Sequence, residues 1–69
     1  MTVAEGLRRF RHERNLSQSD VAKKLGMHRQ VICRYESGKV LPIITFLIKL
    51  ARAYNVSIDY LVGLPEQSA

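Results

Sequence analysis

Apolar residues recur along this chain at spacings of three and four, the period of an α-helix and not the alternation of a strand. Val3, Leu7 and Phe10 form a first stripe, continued by Arg14. They predict a helix over about 3–14, opened by a T-x-x-E capping box of Thr2 and Glu5. Gly6 inside it is unfavourable by about 1 kcal/mol against Ala and points to close packing of a neighbour. Asn15 suits the left-handed stop. Val21, Ala22 and Leu25 predict a second helix over about 18–25. Ser17 is its cap, Asp20 charges its first turn, and Gly26 ends it. The pattern restarts over about 29–36, with His28 in a weak cap position and Ser37-Gly38 at the end.

The next segment is ambiguous residue by residue. Ile43, Ile44, Thr45, Phe46 and Ile48 would each suit a strand. The spacing Ile44, Leu47, Ile48, Ala51, Tyr54 decides for a helix over about 43–54 and assigns that face to the core. Ile43 and Phe46 then point away from it, beside Val40 and Leu41 in the preceding loop. Four apolar residues off the core face suggest a patch for a partner, or else a wider core. Asn55 ends this helix. Ser57 caps a last short one over about 58–62, with Asp59 in its first turn and Gly63 and Pro65 after it. The expectation is an all-α, five-helix domain over 1–65 and a disordered tail over 66–69.

Within this series, 16–39 has the form of a helix-turn-helix: two short helices joined by a tight turn containing Gly. On the second of them Ile32 and Tyr35 share one face. Arg29, Gln30, Cys33 and Arg34 lie mostly on the other. Gln18 sits beside the free N–H groups that open the first, a place that suits a phosphate oxygen. Arg11, next to the first apolar stripe, is either solvated or partly buried and in need of an acid.

Charge sharpens this picture. Residues 1–40 hold nine Lys and Arg against four acids, whereas 41–69 hold two against two. The net +5 therefore sits on the half with the two-helix motif, which suits a polyanion as well as an ordinary solvated surface. A chain of 69 residues can bury only a small core, so oligomerisation is the expected extra source of stability. Cys33 is the one cysteine, so there is no internal disulfide. With His12 and His28 it has no metal-ligand spacing, and no metal or cofactor is expected. His28 and Cys33, five apart, fall on different helix faces and do not pair as base and nucleophile. No acid–base pair or phosphate-cradling glycine loop is visible, which argues against an enzyme. The charged, periodic N-terminus is not a secretory signal, and the apolar run 40–48 is about half a membrane span. The expected location is the cytoplasm.

LRRFRHERNLSQSDVAKKLG, then the turn, ICRYESGK, a Pro and LIKLARAYNVSIDYLVG stand in order over about 3–64. This set resembles the lambda-repressor-like, or XRE-type, helix-turn-helix proteins. The resemblance implies a five-helix domain that binds operator DNA as a two-fold dimer, third helix in the major groove. It implies base reading by Arg29, Gln30 and Arg34, with Val31 and Cys33 as possible apolar contacts. It implies phosphate contacts from Ser17 and Gln18, and from Ser37, Gly38 and Lys39. It also implies a structural ion pair of Arg11 with Glu36. Two departures stand out: Val40 and Leu41 replace the basic or polar residues common before the Pro, and Ile43 replaces a Ser or Asp cap. Both enlarge the apolar patch, and in the family this loop and the last helix often build the dimer contact, so the resemblance implies a dimer through Leu41, Ile43, Phe46 and Ile58.

The leading expectation is thus a sequence-specific DNA-binding regulator, a repressor acting as a homodimer. The alternative is a protein-binding module such as an antitoxin, with the Val40–Phe46 patch for the toxin.

Overall fold

A computed structural model describes residues 2–63; the expected tail at 66–69 and Pro65 lie outside the described residues. Five helices follow one another: α1 (Val3–Glu13), α2 (Gln18–Leu25), α3 (Arg29–Ser37), α4 (Ile44–Tyr54) and α5 (Ile58–Leu61). Side chains close two helix starts reciprocally. Thr2 Oγ1 accepts from Glu5 N while Glu5 accepts from Thr2 N; Ser17 and Asp20 do the same at α2. Each box satisfies two N–H groups that the helix itself leaves without partners. The left-handed residues sit where helices must stop: Asn15 and Asn55 at φ 55°, Gly26 at 67° and Gly38 at 82°. His28 occupies the N-cap of α3 without a side-chain cap bond.

The helices enclose one core. α1 packs on α3 and α5, α2 on α3 and α4, and α4 on α5. Leu7, Phe10, Val21, Leu25, Ile32 and Leu61 meet inside. Phe10 takes the centre, edge-on to Tyr54 at 5.2 Å and to Tyr60 at 6.2 Å between ring centroids. Gly6 is explained by α5. A Cβ there would lie 2.4 Å from Leu61 O and 2.9 Å from Val62 C, so a backbone occupies the place of the missing side chain.

The face of α4 corrects the sequence expectation. Phe46 is 4 % exposed and belongs to the core with Leu47 and Leu50, its ring 4.6 Å from that of Tyr35. It is therefore not part of a surface patch. Ile44, assigned inward by spacing, is 60 % exposed, and Ile48 is at the surface as well. The helix is rotated so that its one aromatic residue in the first turn meets α3, burying more apolar area than Ile44 would.

Candidate nucleic-acid interface

α3 is placed by its inner face. Ile32 is buried in the core, Tyr35 packs against it, and Glu36 is buried at 5 % exposure. This anchoring turns Arg29, Gln30, Cys33 and Arg34 outward together, with Val31 half-buried at the edge. Glu36 is the single acid of α3 and it faces inward, so the outward face carries guanidinium and amide groups with no carboxylate among them.

A buried carboxylate needs partners, and Glu36 has several. Arg11 Nε donates to Oε2 at 2.8 Å and Arg11 Nη2 to Oε1 at 2.9 Å, a two-pronged ion pair. These bonds raise the Arg11 pKa above its ordinary value, so the guanidinium stays charged. Arg11 Nη1 also donates to Leu16 O at 2.9 Å, which ties down the chain entering α2. Gln18 Nε2 adds a bond to Glu36 Oε1 at 3.2 Å. Arg29 Nη1 in turn reaches Gln18 Oε1 at 3.4 Å. Gln18 thus links the buried pair to the first residue of the exposed face, with its own backbone N–H at the start of α2.

The other expected phosphate residues lie around the ends of α2 and α3. Ser17 Oγ accepts from Asp20 N at 3.0 Å, leaving its hydroxyl hydrogen for another acceptor. Ser37 Oγ donates to Arg34 O at 2.7 Å and accepts from Lys39 N at 3.3 Å, so this hydroxyl shapes the turn. Gly38 and Lys39 follow it, both exposed. Beside them Val31, Arg34, Tyr35, Val40, Leu41 and Ile43 line an open groove of about 320 Å³. Leu41 is 80 % exposed and Ile43 60 %. Ile58 is half-buried against the core, past the far end of α4.

Some supports of this geometry had no signal in the sequence. Arg8 Nη1 donates to Glu36 O, which braces the end of α3. Arg9 donates to Tyr60 O and its guanidinium lies 4.6 Å from the Tyr60 ring centre. The Tyr60 hydroxyl donates to Glu13. Those partners are 28, 51 and 47 positions apart, and no periodicity links them.

Five helices with two of them joined at Gly26 and an exposed, acid-free face on α3 define a helix-turn-helix domain. A helix-turn-helix family model matches residues 7–61, and the chain belongs to this family, of the XRE type. Among similar proteins is an HTH-type transcriptional regulator of Methanocaldococcus jannaschii, 42 % identical over 53 residues, which are 77 % of this chain and 80 % of that one. The regulator ImmR of Bacillus subtilis is 34 % identical over 99 % of this chain and 54 % of its own length. The cryptic phage CTXphi transcriptional repressor RstR of Vibrio cholerae is 36 % identical over 91 % of this chain and 56 % of its own. This chain thus spans little more than half of those two. The crystal structure of a transcriptional regulator from Listeria innocua superposes with a TM-score of 0.78 at 34 % identity, covering 99 % of this chain and 64 % of that one. No helix among the described residues is long and apolar enough to cross a membrane.

Proposed function

We propose that this protein is a sequence-specific DNA-binding repressor that occupies a palindromic operator as a homodimer. The observation that supports this most is the outward face of α3, with Arg29, Gln30 and Arg34 displayed together and Glu36 withdrawn. In the major groove, Arg can bond guanine O6 and N7 together, and Gln can bond adenine N6 and N7. Cys33 and Val31 offer apolar contact to a thymine methyl. Ser17 and Gln18 at the start of α2, and Ser37, Gly38 and Lys39 after α3, would hold phosphates. These contacts set register and affinity without reading sequence. A bound dimer would act by occupancy, denying the site to polymerase.

The assembly reading rests on Leu41 and Ile43, large apolar side chains left in solvent next to the α3 face. A two-fold contact through them would bury this patch and set two α3 helices side by side. Phe46, being internal, takes no part. Sedimentation with and without a 20-base-pair duplex tests the assembly. Two protomers per duplex are expected. A chain that stays monomeric and binds singly would contradict the dimer and leave the patch for a foreign protein, as in an antitoxin.

A further inference from the structure

A second surface lies between α2 and α4. Lys24, Leu25, Thr45, Ile48, Lys49 and Arg52, with Ala53, line an open groove of about 470 Å³. Its floor is apolar and its rim is cationic. Leu25 is buried beneath it, and Ile44, one turn before Ile48, extends the exposed aliphatic strip. Lys24 Nζ also lies 5.6 Å from the Tyr54 ring centre, outside the groove. α4 contains no acid at all. The one acid of α2, Asp20, is engaged with the backbone N–H of Ser17. Among the described residues none of the three cations forms an ion pair.

We propose that this groove docks an acidic amphipathic helix of a partner protein, independently of the α3 face. The chemistry favours that occupant. Aliphatic side chains at spacings of three and four would lie along Ile44 and Ile48, and carboxylates on their flanks would meet Lys24, Lys49 and Arg52. A phosphate backbone would satisfy the cations but has nothing to place on the apolar floor. The groove is also open along its length, which suits an elongated segment better than an enclosed small molecule.

The probe is a fluorescein-labelled helical peptide with leucines spaced at three and four and glutamates on either side. A scramble of the same composition and a random duplex serve as competitors. Polarisation titrations use the wild type, Ile48→Ser, Arg52→Gln and Arg34→Ala, each first checked for helicity. The expected result is binding about tenfold tighter than the scramble. Ile48→Ser and Arg52→Gln should each weaken it severalfold, and Arg34→Ala should leave it unchanged. Equal binding of peptide and scramble would reduce the groove to a charged surface and overturn the proposal. Loss with Arg34→Ala, or displacement by the duplex, would place the peptide on the DNA face and overturn it as well, as would no binding at all.

Discussion

Arg11 and Glu36 grip each other through two bonds of 2.8 and 2.9 Å, 25 positions apart in the chain. The pair joins α1 to the last turn of α3, and through Gln18 to the start of α2. Removing one partner from a buried pair strands the other charge, which costs about 3–5 kcal/mol. Arg11→Ala should therefore lower stability by an amount toward the lower end of that range, since Arg11 keeps some exposure. The double change Arg11→Met with Glu36→Leu should recover much of the loss. Urea unfolding of the wild type and the two variants measures both. A double variant no more stable than Arg11→Ala would contradict this account of the pair.

Gly6→Ala reverses the usual sign. In an open helix this change is favourable by about 1 kcal/mol. Here the added methyl would meet the backbone at Leu61 and Val62, which cannot yield as a flexible side chain can. A loss of about 1–3 kcal/mol, the range for forced overpacking, is expected in thermal unfolding. An unchanged or raised Tm would mean that α5 moves away from α1 at little cost.

Two capping carboxylates make stability depend on acid pH. The backbone N–H of Thr2 lowers the Glu5 pKa, and that of Ser17 lowers the Asp20 pKa, each with help from the hydroxyl of the same residue. A carboxylate whose pKa is lower folded than unfolded stabilises the fold above its unfolded value, about 4. That contribution is lost as pH falls through the folded value. Denaturation midpoints should be level near neutrality and drop below about pH 4.5. Asp20→Asn should lower the midpoint at neutral pH and flatten its fall on acidification. A variant with the same acid slope as the wild type would contradict the assignment.

Phe46 and Leu41 should separate folding from assembly. Phe46→Ala removes a buried ring packed on Tyr35 and is expected to cost about 3–5 kcal/mol. Leu41→Ser changes an exposed side chain, so the monomer fold should be unaffected while self-association weakens. Calorimetry at a concentration where sedimentation shows the wild type to be monomeric, and sedimentation at higher concentration, decide this. Equal Tm losses in both variants would show that Leu41 is not the free surface residue described above.

The contrast on α4 also shows what a sequence can carry. Only Thr45, Lys49 and Arg52 interrupt the apolar residues of this helix before Tyr54, leaving two overlapping stripes at helical spacing. One runs through Ile44 and Ile48, the other through Phe46 and Leu50. Periodicity cannot choose between them; the Tyr35 ring on α3 does. Where polar residues frame a single stripe, as in α1, α2 and α3, the buried side followed directly from the pattern. The helix ends were equally legible, because Thr2-Glu5, Ser17-Asp20 and Gly26 act through local bonds and local backbone geometry. The outward set on α3 followed from the same wheel. The braces by Arg8 and Arg9 did not, since each depends on a carbonyl brought near by the whole fold.

The most direct test of the central proposal is selection of bound sequences from random duplex DNA at physiological salt, run on the wild type, Arg34→Ala and Lys39→Ala. The wild type should enrich two inverted half-sites about one helical turn, roughly 34 Å, apart. Arg34→Ala should relax preference at one base of each half-site, losing roughly 1–3 kcal/mol there. Lys39→Ala should keep the motif, weaken all sequences alike and flatten the salt dependence by about one unit. No enriched motif, or the same motif from the wild type and Arg34→Ala, would contradict base reading by α3.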